Sequence, residues 1–209
     1  TMMNIEKDGS IGEIADGIFH TGVGSSIAER NYRPHVNCVK LTPHENYLSA
    51  VDGGLDQVKI YKIDRKNGKL KMADILREHL ESAPRMIRFS KDGNYAYVLC
   101  EESNAIDVYR YACTQDGPQF EEVQSIPTVD AQEKANCGAS DIEITEDGNY
   151  LFCSNAGVNT VVIYQIDKKT GMLEEICDSK ISGNYPKSIA VFPDDKHFVS
   201  LNHDTNQIT

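Results

Sequence analysis

Three stretches of this chain repeat one another at intervals of about 50 residues, and that self-similarity limits the fold more than any other feature. They are LTPHENYLSAVDGGLDQVKIYKID (41–64), FSKDGNYAYVLCEESNAIDVYRY (89–111) and ITEDGNYLFCSNAGVNTVVIYQID (144–167), and a fourth unit begins with VFPDDKHFVSLNHDTNQIT (191–209). The anchor positions Tyr47, Tyr95, Tyr150 and His197 follow one another at 48, 55 and 47 residues. That interval is the size of a propeller blade.

Each unit reads as short strands separated by turns. Asp92-Gly93 and Asp147-Gly148 supply the positive backbone angles of tight hairpins, because glycine has no Cβ to clash there. The runs Val58 to Tyr61, Ile106 to Tyr109 and Val161 to Tyr164 are β-branched and aromatic, which favours strands. Each run is followed by a second glycine turn, at Asn67-Gly68, Asp116-Gly117 and Thr170-Gly171, and then by an outer strand (69–72, 120–124 and 172–177). Four antiparallel strands per repeat predict an all-β chain, a β-propeller of four-stranded blades with about four present. The blades fall at 38–82, 83–130 and 138–183, with a split blade from 184–209 plus 1–20. A β-sandwich or solenoid also repeats strands, but sandwiches rarely keep a turn motif in phase at this period and solenoid coils are usually shorter.

The formal charge of −11, with no basic run, disfavours nucleic acid and anionic membrane surfaces as partners, so an anionic ligand has to be held by a few local cations. No apolar stretch reaches the roughly 18–20 residues needed to cross a bilayer, and the first residues lack signal-peptide character, which predicts a cytoplasmic protein. Cys38, Cys100, Cys113, Cys137, Cys153 and Cys177 contain no C-x-x-C pair, which argues against a zinc site or a thioredoxin-like motif. They read as reduced residues, mostly in the core; a nucleophilic role is disfavoured because none has a histidine close by in sequence.

The motifs R-P-H (33–35), D-G-G-L-D (52–56), A-P-R (83–85), C-E-E-S-N (100–104), S-N-A-G (154–157) and Y-P-K (185–187) resemble those of the lactonase family of seven-bladed propellers, and the likeness runs over almost the whole chain. That family includes bacterial 6-phosphogluconolactonases and fungal carboxymuconate lactonizing enzymes. The resemblance implies a substrate cleft at the mouth of the ring, with His35, Arg85 and Glu101 at positions where the family carries functional residues. Opening a lactone needs a base to activate water, a donor for the developing oxyanion and a cation for the acid or phosphate group. Glu101 is then the candidate base, Arg85 the anion clamp and His35 the polarising donor or proton relay, with no metal or other cofactor required. Asn37, Asp52, Asp141, Asn155, Lys187 and Asn202 are candidate substrate-binding residues. Plainer roles compete: Arg85 pairing with Glu101 or Glu102, His35 as a hydrogen-bonded loop residue, and Asp52, Asp141, Asn155 and Asn202 capping turns and tying blades together.

Three positions depart from the family pattern: Asn37 stands where a second histidine is common, Met86 where histidine often follows the arginine, and Ala156 where S-N-R-G is usual. Asn37 cannot exchange a proton near neutral pH, and Lys187 replaces a lost guanidinium only in part. The expected function is a lactone hydrolase on a sugar lactone, with a muconate-type cycloisomerase or a non-catalytic binding or scaffold propeller as alternatives. Seven blades at about 50 residues need roughly 350 residues. The ends are therefore expected to pair either within one chain, as a tight four-bladed ring, or between chains, as a homodimer through open blade edges.

Overall fold

The structure is a computed structural model that describes residues 1–25 and 32–209. A hairpin of β1 (Met2–Ile5) and β2 (Ile11–Asp16) comes first. The first blade follows as β3 (Val36–Leu41), β4 (Tyr47–Asp52), β5 (Gln57–Asp64) and β6 (Lys69–Arg77), and the second as β7 (Pro84–Phe89), β8 (Tyr95–Cys100), β9 (Ala105–Thr114) and β10 (Gly117–Pro127). The third blade is β11 (Gly138–Ile144), β12 (Tyr150–Ala156), β13 (Thr160–Ile166) and β14 (Leu173–Lys180); β15 (Pro186–Val191), β16 (Phe198–Asn202) and β17 (Gln207–Ile208) form a three-stranded sheet. Strands pair antiparallel with their sequence neighbours throughout, so each sheet is a meander with its first strand at one edge. The chain is thus an all-β propeller. Among the described residues, helix is limited to two 3-10 turns, Pro43–Glu45 and Lys134–Asn136.

The outer strands run further than their sequence signals, to Arg77, Pro127 and Lys180, because they continue past a bulge in each ladder. At the two ends, β1 and β2 pair only with each other and β17 only with β16. The expected closure of a blade from both ends of one chain is therefore not formed. The hairpin instead lies beside the first blade, where Lys69 Nζ donates to the Ala15 carbonyl and the Leu70 N–H to Asp16.

Blade-on-blade packing explains the burial pattern. Every residue of β8 is buried, because a blade flanked on both sides has no solvent face. Side chains alternate along the strand. Val98 and Cys100 join Val51, Val58, Ile60 and Ile87 in the core between the first and second blades. Tyr97 and Leu99 join Ile142, Leu151, Val162 and Tyr164 between the second and third. Each such fully buried side chain stabilises by about 1.5–3 kcal/mol. The cysteines depart from expectation: only Cys100 and Cys153 are buried, Cys38 and Cys137 are half-buried, and Cys113 and Cys177 are exposed. All six are unpaired thiols.

The hairpin turns use glycine where it was expected, with φ of +76° at Gly93 and +69° at Gly148. Asp147 closes the second of these turns. The Asn149 N–H and the Thr145 hydroxyl hold its carboxyl below the ordinary value of 3.8. A lowered folded-state pKa means stability that is present above about 3.8 and is lost as pH falls through the folded value. The Asp147→Asn variant is accordingly expected to show a flatter decline in urea midpoint than wild type between about pH 5 and pH 2; equal slopes would remove Asp147 from the acid response.

Candidate active site

Each inner strand opens with a one-residue bulge. The register slips between Val36 and Cys38, Pro84 and Met86, Ala139 and Asp141, and Pro186 and Ser188. The unpaired residues are therefore Asn37, Arg85, Ser140 and Lys187, one per blade at one end of the sheets. A bulge re-aims its side chain out of the ladder alternation, and bulges are frequent beside active sites.

The second blade supplies the main charged pair. Arg85 Nη1 donates to Glu101 Oε2 at 2.8 Å and Arg85 Nε to the Ser140 carbonyl at 2.7 Å, which ties the second blade to the third. Both side chains are mostly buried, 19% and 16% exposed, so the pair is shielded from water compared with a surface ion pair. Glu101 lies over Gly138, where a Cβ would come within 3.5 Å of its Oε1. The plainer expectation for Arg85, pairing with Glu101, is thus met. It also keeps the two groups in one place, and the observed bonds engage two of the five guanidinium N–H donors.

The first blade contributes His35 and Asn37 to the same rim. A Cβ on Gly53 would fall 3.0 Å from His35 Nε2, 2.8 Å from Asn37 Nδ2 and 2.9 Å from the Pro84 carbonyl, so the missing side chain makes their approach possible. Asn37 Nδ2 lies 3.5 Å from the Pro84 carbonyl, one residue from Arg85. His35 Nδ1 faces the Arg33 carbonyl at 3.3 Å. A carbonyl only accepts, so Nδ1 carries the proton and Nε2 of the neutral ring is an acceptor. Of the two roles expected for His35, this tautomer suits the proton relay; a polarising donor would need the imidazolium.

The other candidates are placed as braces. Asp52 is fully buried; it accepts from the His35 and Gly54 N–H groups and pairs with His20 Nδ1 at 2.5 Å. Asp141, 4% exposed, accepts from the Ser188 hydroxyl and the Ile189 N–H, which joins the third blade to the last sheet, and lies 3.5 Å from Arg88. Burial pushes the Asp141 carboxyl above the ordinary value, against the pull of those donors and of Arg88. Asn155, also fully buried, donates to the Thr128 carbonyl at 2.8 Å, and Asn202 accepts from Ser200 and donates to Thr209. These four do not share the rim's exposed surface. Lys187, half-buried, does: its Nζ sits 5.5 Å from the centre of the Tyr185 ring.

Two residues of the rim escaped the sequence reading. Ser140 is the third-blade counterpart of Arg85, and its carbonyl is what Arg85 grips. His203 follows β16 as Glu101 follows β8, is 70% exposed, and packs against Tyr185 with ring centres 5.9 Å apart. Aligning the units on their bulges and strand ends, rather than on hairpin turns, would have placed both.

Residues 1–209 match the family described as Lactonase, 7-bladed beta-propeller. The chain belongs to this lactonase family. It is 28% identical over 204 residues to a Bacillus subtilis protein named 6-phosphogluconolactonase, covering 98% of this chain and 57% of that one. A Lactobacillus plantarum crystal structure superposes with a TM-score of 0.91 at 29% identity, over 99% of this chain and 58% of that one. The Pseudomonas aeruginosa periplasmic gluconolactonase gives 0.90 at 25% identity, over 99% and 57%. The chain thus spans somewhat more than half the length of these relatives. Within the lactonase frame, two of the departures are apolar packing positions: Met86 packs on the core between the second and third blades, and Ala156 is 2% exposed at the end of β12.

Proposed function

We propose that this chain carries part of the substrate cleft of a lactone hydrolase, acting on an anionic sugar lactone of the 6-phosphogluconolactone class. The observation that carries this reading is the Arg85–Glu101 pair, anchored on the Ser140 carbonyl and set on one rim with His35 and Asn37. Glu101 accepts a proton from the attacking water, and the remaining Arg85 donors stabilise the oxyanion that develops on the lactone carbonyl. The proton that Glu101 takes from water passes through His35 Nε2, an acceptor in this tautomer, to the ring oxygen as it leaves. Lys187, two bulge positions round from Arg85, holds the phosphate as a point charge. The name of the Bacillus subtilis relative supports the substrate class.

The departures at Met86 and Ala156 favour a second reading, a binding propeller without turnover, since neither position offers a polar group to a ligand. A cycloisomerase on diacids would draw on the same base and clamp. Freshly generated 6-phosphogluconolactone, followed against its spontaneous hydrolysis with unphosphorylated gluconolactone in parallel, separates these readings. Hydrolysis above background is expected for the phosphorylated substrate. Lys187→Met is expected to raise KM for that substrate by about tenfold, the loss of one charged contact, and to leave the neutral lactone unaffected. A folded chain without turnover on either lactone would leave the binding reading.

A further inference from the structure

The joints that precede the first, second and third blades are built to one plan, which makes the odd one visible. Tyr61, Tyr109 and Tyr164 hold the same place in the third strands, and each hydroxyl reaches the unit before it: His20 Nε2 at 3.0 Å, Glu78 Oε2 at 2.8 Å and the Pro127 carbonyl at 3.0 Å. Two strand positions complete each joint. At the end of the second strand stand Asp52, Cys100 and Asn155; opposite its fourth residue stand Lys59, Asp107 and Val162. The exit of the preceding blade adds Glu78 at the second joint and Thr128 at the third, each with its N–H bonded to the corresponding turn, at Asp56 and Asn104.

Charge balance separates the joints. The first has one carboxylate, Asp52, against His20 and the buried Lys59. The third is neutral, with Thr128, Asn155 and Val162. The second holds two carboxyls and a thiol: Glu78 is 6% exposed, Cys100 0% and Asp107 1%. Their ligand atoms lie within 4.8 Å of one another, and Cys100 Sγ is 3.5 Å from Asp107 Oδ2. Glu78 Oε1 and Asp107 Oδ1 are buried with no hydrogen-bond partner, and the buried Ser82 hydroxyl beside them has none of ordinary geometry. Buried carboxylates without a counter-charge are costly, and orphaned oxygens of this kind point to a missing cation.

We propose that the joint between the first and second blades is a divalent transition-metal site, ligated by Glu78, Cys100 and Asp107. A thiolate with carboxylates selects a borderline ion such as Zn²⁺ over Mg²⁺ or Ca²⁺. The Tyr109 hydroxyl fixes the Glu78 carboxylate from the outer shell. His79 and Glu122, 62% and 42% exposed and themselves within ligand reach of Asp107, form the solvent side by which the ion enters. Binding forms the metal–sulfur bond and releases the Cys100 proton to solvent, so affinity rises with pH. No C-x-x-C spacing announces the site, because its ligands come from two strands and a blade exit.

The test is titration of the chelator-treated 209-residue chain with Co²⁺ and Zn²⁺. One equivalent of Co²⁺ is expected to bind with a near-ultraviolet sulfur-to-cobalt band. That band disappears in Cys100→Ser and persists in Cys137→Ser. Asp107→Val and Glu78→Thr install the residues of the neutral third joint and so keep the fold; each is expected to weaken Zn²⁺ binding by at least about tenfold. Absence of the sulfur band in a folded chain overturns the site, as does a band that survives Cys100→Ser. Cobalt held by His79 and Glu122 alone, without sulfur character, overturns it equally.

Discussion

Replacing Glu101 by Gln is expected to lower the enzymatic rate of 6-phosphogluconolactone hydrolysis by about 10²–10⁴-fold, the usual weight of a positioned general base. The change is isosteric. The amide can still accept from Arg85 Nη1, now 2.8 Å from Glu101 Oε2, and it fits above Gly138 as the carboxylate does. What it loses is the ability to take a proton from water. Circular dichroism and thermal midpoint are therefore expected to change little while kcat collapses, and KM to move less than kcat. Arg85→Ala is expected to do more, because it removes the proposed oxyanion donor and the tie to Ser140 together, so both KM and kcat suffer. Full activity in Glu101→Gln would move the base elsewhere on the rim, with His35 the next residue to change.

Asp141→Ala is expected to act on the fold rather than on substrate, destabilising the chain by about 2–4 kcal/mol. Its carboxylate receives the Ser188 hydroxyl and the Ile189 N–H from the last sheet, and the Ile142 N–H from its own strand, all at a site that is 4% exposed. Alanine leaves those donors buried and unsatisfied, and Arg88 keeps only Glu143 of its two carboxylate partners. Glu143→Gln is expected to cost less, since Glu143 is 32% exposed and water can replace it. Thermal denaturation measures both; a drop of roughly 2–4 °C per kcal/mol applies to chains of this size. An unchanged midpoint with a raised KM for lactone would return Asp141 to the substrate site.

Both predictions turn on what could be read from the one-dimensional pattern. Hairpin glycines, the β-branched runs ending in tyrosine and the 50-residue interval are local signals, and they led to blades of the observed strand order. Arg85 and Glu101 were legible through the resemblance of A-P-R (83–85) and C-E-E-S-N (100–104) to the lactonase motifs, not through the repeat itself. Asp52, Asp141 and Asn155 were legible as special but not in their role: a strand-end acid looks the same in sequence whether it meets substrate or the next blade's N–H groups. His20 makes the point from the other side. It lies outside every repeat, yet its ring bridges the Asp52 carboxylate and the Tyr61 hydroxyl.

From the sequence by itself came the strands, their turns, the blade interval and the excess of negative charge, because each depends on residues close in the chain or on composition alone. Tertiary structure alone decided which side chains share a joint. It paired Arg85 with Glu101 across 16 residues and with Ser140 across 55, set His35 and Asn37 over Gly53, and gathered the ligand atoms of Glu78, Cys100 and Asp107 within 4.8 Å of one another. The physical reason is that adjacent blades touch through their faces. Strand alternation says which residues face a neighbour, but only the packed neighbour shows what each of them meets.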